Sequence, residues 1–152
     1  MKILGIDPGT TAGWCTGADT NGIWKCAAKP YESVSMRLIK FRSSMKEVVE
    51  AEEIELIVYE KPGGRNYTGV KAHANFEGII QEFALDHKLE YKGYSAGEIK
   101  RFATGKGNCG KPAMIQACKD RLNITPLDDN HADAIFLYLL AEYEWNGLMI
   151  ET

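Results

Sequence analysis

The chain has 152 residues with 45% apolar side chains, enough to fill one core, so a single domain over residues 1–152 is expected with no need of a second. Eighteen Lys and Arg against 21 Asp and Glu give a formal net charge of −3, which speaks against a protein that coats nucleic acid through bulk charge. The charge is uneven: between Lys92 and Arg121 lie Lys100, Arg101, Lys106, Lys111 and Lys119 with only Glu98 and Asp120 to oppose them, so a basic segment faces an acidic remainder. The longest nearly apolar run, Ala134 to Ala141, is far short of the roughly 20 residues that a membrane span needs. The chain opens on the strand-like KILGID rather than on a secretory leader, and the expectation is a cytoplasmic protein with no membrane attachment. Cys15, Cys26, Cys109 and Cys118 form no C-x-x-C pair and have no histidines at zinc spacing, so they are expected as structural thiols.

The elements follow in order. Lys2 to Asp7, Ala12 to Thr16 and Ile23 to Ala28 are β-prone runs separated by Gly, Asp and Asn, the pattern of an antiparallel meander. Val34, Leu38, Phe41, Met45 and Val48 recur at helical spacing. Ile54 to Tyr59 reads as a buried strand, Phe76, Ile79, Ile80, Phe83 and Ala84 as the stripe of a second helix, and Leu89 to Tyr94 as a further strand. Ser95 with Glu98 is a capping box that starts a helix carrying Lys100 and Arg101, which Gly105-Lys106-Gly107-Asn108 breaks. Pro112 suits the first turn of a helix ending at Leu122, and a last helix runs from Asp129 to about Trp145. The predicted fold class is α/β, a mixed five-stranded sheet of three antiparallel strands followed by alternating helices and strands, flanked by helices.

Acidic residues sit where these elements end. Asp7 closes the first strand before a Pro-Gly turn, and Glu60 closes Ile54 to Tyr59 in the same way. Neighbouring strand ends about 4.8 Å apart can share a metal ion. Asp129, Asn130 and Asp133 fall on one face of a helix start, where the helix dipole tolerates carboxylates. Asp133 is the most telling, because the apolar run that follows it makes an unpaired carboxylate expensive there. Such a cluster suits a hard divalent cation and phosphodiester hydrolysis.

Taken together, ILGIDPGT, IVYE and an Asp-Ala pair opening the last helix resemble the RuvC family of Holliday junction resolvases, over nearly the whole chain. The likeness is greatest to the small forms carried by bacteriophages, which have a segment similar to IKRFATGKGNCGK. The resemblance implies a ribonuclease H-like fold, a structure-selective endodeoxyribonuclease, branched DNA as partner, a homodimer and no nucleotide cofactor. It implies Mg2+ as cofactor, two ions per site, with Mn2+ able to substitute. Asp7, Glu60 and Asp133 map onto the family's metal carboxylates. The fourth position, three residues before the last, holds Asn130 here, and Asp129 suits a hard ion better than His131 as its replacement. Lys100 and Lys111 map onto basic residues that offset charge at the phosphate. Lys106 and Arg101 are expected to grip the DNA backbone, and Arg65 and Tyr67 to stack at the crossover in place of an aromatic that the family carries where this chain has Gly63. The helix from Val70 to His87 is the expected dimer contact. Two other readings are open to these residues. GIDPGTTAG also resembles the phosphate turn of actin-like and sugar-kinase ATPases, but no second phosphate loop follows; a noncatalytic junction-binding factor, or a ribonuclease of RNA maturation, is the alternative to a resolvase.

Overall fold

The structure, a computed structural model, describes residues 1–64 and 67–148, the side chain of Tyr67 apart. Its five strands are β1 (Ile3–Asp7), β2 (Thr11–Gly17), β3 (Thr20–Lys25), β4 (Leu56–Glu60) and β5 (Glu90–Tyr94), and its helices α1 (Met36–Glu52), α2 (Tyr67–Asp86), α3 (Ala96–Thr104), α4 (Lys111–Leu122) and α5 (Asp129–Asn146). The sheet order is β3-β2-β1-β4-β5. β1, β2 and β3 form the expected antiparallel meander, while β4 runs parallel to β1 and β5 parallel to β4.

Every residue of β1 is buried, as befits a central strand covered on both faces. On one face Ile3, Leu56, Val58 and Tyr94 pack under α3, α4 and α5. On the other, Leu4, Ile6, Ile57 and Tyr59 pack under α1 and α2, where Trp24, Phe41 and Phe76 meet edge-on in sequence. Phe41, Met45 and Val49, four residues apart, are the buried stripe of α1. The Ser95–Glu98 capping box opens α3 as the sequence indicates, and Pro112 lies in the first turn of α4.

Several boundaries differ from expectation: β4 opens at Leu56 instead of Ile54, and Val34 lies exposed before α1 instead of on its buried stripe. β3 lies three residues earlier than Ile23 to Ala28, because the hairpin turns tightly at Ala18 and Asp19, where the Asn21 amide donates to the carbonyls of Gly17 and Ala18, both at 3.0 Å. α2 begins at Tyr67, nine residues before its first fully buried aromatic, since the small residues of its first turns have little to bury and so show no stripe.

α5 lies directly on the sheet backbone. A Cβ on Gly5 would stand 3.0 Å from the Tyr138 nitrogen, and one on Gly13 would overlap the Asn130 carbonyl. The glycines thus set how closely the start of α5 approaches the ends of β1 and β2. Gly13→Ala is expected to lower stability by about 1–3 kcal/mol through overpacking and to displace the first turn of α5. Thermal melting checks the first effect; an unchanged melting temperature would mean that the helix start yields freely.

Candidate active site

Asp7 and Glu60 are the last residues of neighbouring parallel strands, one step beyond the paired Ile6 and Tyr59. Asp128, not Asp129, caps α5: its carboxylate accepts from the His131 N–H at 2.8 Å. Asp129 is thereby released from capping and turns, with Asn130 and Asp133, toward the strand ends. An open cleft of about 330 Å³ results, lined by Asp7, Glu60, Asp129, Asn130 and Asp133 on the acidic side and by Lys100 and Lys111 on the basic side. Ala96, Lys111 and Asp129, the first residues of α3, α4 and α5, all border it, so three helix N-termini face one opening. Such termini favour negative charge and the phosphate group.

The carboxylates repel one another in a half-dry place. Asp7 is 5% exposed, and burial, followed by Glu60, Asp133 and Asp129, holds its carboxyl well above the usual range. Burial, then Glu60 and Asp129, push Asp133 up to about 7, against the pull of Lys100 and Lys111. Glu60 is raised by burial and partly relieved by Lys100. The Oδ1 atom of Asp133 is buried with no hydrogen-bond partner. A buried oxygen without a donor calls for an explanation, and a bound cation supplies one. The donor set, carboxylate oxygens with one amide, suits a hard divalent metal. Among the described residues no three His, Cys, Asp or Glu side chains stand close enough together to hold a metal ion as they are placed; the carboxylates line the cleft apart from one another.

The basic residues divide. Lys100 projects into the cleft, and the Lys111 ammonium lies 3.6 Å from Asp129 while 80% exposed. Arg101 and Lys106 are exposed at the end of α3 and beyond it, outside the cleft lining. Two members of the basic segment serve the fold: Arg121 donates to the carbonyls of Phe102 and Ala103, and Lys92 pairs with Glu144. Arg65 and the Tyr67 side chain lie outside the described residues.

His131 is not available as a ligand. It is 5% exposed, its Nδ1 accepts from the Leu127 N–H at 2.9 Å, and its Nε2 donates to Asn21 Oδ1 at 2.6 Å. The ring ties the β2–β3 hairpin to the start of α5. The cleft holds one residue that the sequence does not single out. His73, on α2, borders the acidic cluster and donates from Nε2 to the main-chain carbonyl of Glu60 at 2.9 Å. Burial lowers its pKa, against the opposing pull of the Glu60 carbonyl and Glu77. Its place in a helix of small residues carries no signal in one dimension.

The acid cluster has a measurable signature. Unfolded, Asp133 titrates near 3.8; folded, at about 7. Between these values the folded chain keeps a proton that the unfolded chain has lost, so stability falls as pH rises through the window and the loss is complete above it. At about 1.4 kcal/mol per unit, the ceiling is on the order of 4 kcal/mol. In chelator, the melting temperature is expected to fall between about pH 4 and pH 7, and Asp133→Asn to flatten that fall; a rise over this range would contradict it.

Comparison with known proteins agrees with this architecture. A family model described as "Crossover junction endodeoxyribonuclease RuvC" matches residues 3–140. A relative of that description from Synechococcus sp. (strain CC9902) is 25% identical over 153 residues, covering 95% of this chain and 99% of its own. Among solved structures, "T. thermophilus RuvC in complex with Holliday junction substrate" superposes with a TM-score of 0.77 at 22% identity, covering 97% of this chain and 96% of that one. The yeast mitochondrial Holliday junction resolvase Ydc2 gives 0.63 at 13% identity, over 90% and 75%. The five-stranded mixed sheet with its flanking helices is thus the ribonuclease H-like fold. With the family model spanning all five strands and most of α5, the chain belongs to the RuvC family of crossover junction endodeoxyribonucleases.

Proposed function

We propose that this chain resolves branched DNA such as Holliday junctions, as a metal-dependent endodeoxyribonuclease that makes paired, structure-selective phosphodiester cuts. One observation carries the reading. Buried and half-buried carboxylates from two strand ends and a helix start, one of them with an oxygen that no donor satisfies, share a cleft with Lys100 at the meeting of three helix N-termini. The relative from T. thermophilus, whose structure was solved with a Holliday junction substrate, supports the choice of DNA.

Asp7, Glu60 and Asp133 would hold the metal, with Asp129 as the fourth carboxylate and Asn130 offering an amide oxygen beside it. Mg2+, two ions per site, with Mn2+ able to substitute, supplies when bound the activation of water and the stabilisation of the leaving oxygen. The chain's own groups do the rest. Lys100, at the cleft wall, sets a positive charge beside the scissile phosphate, and the N-termini of α3 and α4 add partial charges that need no rearrangement as charge develops. Lys111 exchanges its contact with Asp129 for the phosphate. Lys106 and Arg101 hold the backbone further out, and Arg65 and Tyr67 act at the crossover. His73 fixes the main chain at Glu60 and so keeps β4 from fraying where the carboxylate must stand.

The chain acts as a single domain and as a homodimer in the cytoplasm, the two-fold axis of the dimer matching that of a four-way junction. α2 is the proposed contact, through its outward face and not through its apolar stripe. Phe76, Ile80, Phe83 and Ala84 are buried in the core of the chain itself. The outward face offers Ala74, Gly78 and Leu85, small enough at two positions for close approach of a second helix.

Asp7→Asn and Asp133→Asn are each expected to abolish cleavage of a synthetic four-way junction while leaving binding intact; residual metal-dependent cuts at the wild-type rate would remove the residue from the site. Lys100→Ala should lower the single-turnover rate by about 100-fold or more, as loss of a transition-state contact does. Lys106→Ala should instead weaken binding and flatten its salt dependence by about one charge, with little effect on the rate once bound.

A further inference from the structure

A second hollow lies against α1, on the face of the sheet opposite α5. Its volume is about 330 Å³, with Trp14, Thr20 and Trp24 of the first hairpin on one side and Glu47, Val48 and Glu52 of α1 on the other. Trp14 and Trp24 stack with ring centroids 5.9 Å apart and planes 13° from parallel. Gly22, paired with Trp14 across the strands, leaves room for the indole: a Cβ there would stand 3.3 Å from the Trp14 nitrogen. The hollow is a rigid aromatic wall facing an acidic helix.

Its polar groups are unused by the fold. Among the described residues the Trp14 indole N–H and the carboxylates of Glu47 and Glu52 have no hydrogen-bond or ion-pair partner. Their neighbours on α1 are engaged: Glu50 with Lys46, Arg42 with Glu82 and Asp86, Lys40 with Glu32. β3 is the outer strand of the sheet, so the hollow opens to the side.

We propose that this hollow docks an arginine-bearing segment of a partner protein. A guanidinium is planar, stacks on an indole face and can give two parallel hydrogen bonds to a carboxylate, so it satisfies both walls together. DNA is excluded by charge, because Glu47 and Glu52 repel phosphate and no Lys or Arg lines the hollow. The catalytic cleft lies under α3, α4 and α5, and the hollow under α1, so a partner can be held while DNA is bound. The proposal is independent of the catalytic reading.

The test uses the full chain, labelled with 15N and saturated with Mg2+ so that the catalytic carboxylates do not compete for cations. An acetylated Gly-Arg-Gly amide is titrated in, with Gly-citrulline-Gly as its uncharged counterpart. The indole N–H resonances of Trp14 and Trp24 are expected to shift saturably. That of Trp145, whose N–H is held by the Tyr94 hydroxyl, should stay still. The double variant Glu47→Gln, Glu52→Gln should weaken binding by about fivefold or more while melting and junction cleavage stay as in the parent. No indole shift, equal shifts with the citrulline peptide, or undiminished binding in the double variant would overturn the proposal. Indole shifts that track protein concentration alone would do so too, by showing a second copy of the chain as the occupant.

Discussion

The site depends on how closely α5 lies against the sheet. Its first turns carry Asp129, Asn130 and Asp133, and these reach the ends of β1 and β4 only because Gly5 and Gly13 present bare backbone beneath the helix. Side chains there would lift α5 by the thickness of a methyl group, and carboxylates that share a ligand must agree to within a fraction of that distance. The rest of the architecture serves this contact. The hairpin turn is tied by Asn21, Asn21 holds His131, and His131 with the Asp128 cap fixes the start of the helix.

The same contact gathers like charges. Asp7, Glu60 and Asp133 are all raised above their usual range, chiefly by burial and then by neighbouring carboxylates, Asp129 among them in each case, and the folded chain is the less stable for it above neutral pH. Lys100, Lys111 and three helix N-termini relieve part of the strain without neutralising it. This is the balance a metal-dependent phosphate site requires. Full neutralisation by fixed cations would leave no affinity for a metal, and none would leave the carboxylates protonated. The stability of the chain and the reactivity of the cleft are therefore opposed terms of one electrostatic sum.

Much of this was legible in one dimension. The central strands announce themselves as short apolar runs ended by Asp7 and Glu60, and α5 as a long apolar run entered through Asp133, because burial on both sides leaves few polar residues to blur the pattern. The capping box at Ser95 is local chemistry and reads directly. What escaped depends on contacts distant in the chain. His73 matters through a carbonyl 13 residues away, and His131 through an asparagine 110 residues away. The first turns of α2 carry no hydrophobic period because they have little to bury, and the choice of Asp128 over Asp129 as cap turns on geometry that two adjacent acids cannot reveal.

The hydrogen bond between Asn21 and His131 joins residues 110 apart, and the one from the Met1 ammonium to Asn146 spans nearly the whole polypeptide. Translation delivers Asp7 to the ribosome exit long before Asp133, and the first strand must wait for α5 to cover its outer face. The acidic cluster is therefore complete only once the last helix is in place. A chain stalled before residue 129 carries Asp7 and Glu60 but lacks Asp129 and Asp133, half of the acidic lining of the cleft. Loss of α5 would likewise remove Asp129 and Asp133 together, and with them one whole wall of the cleft.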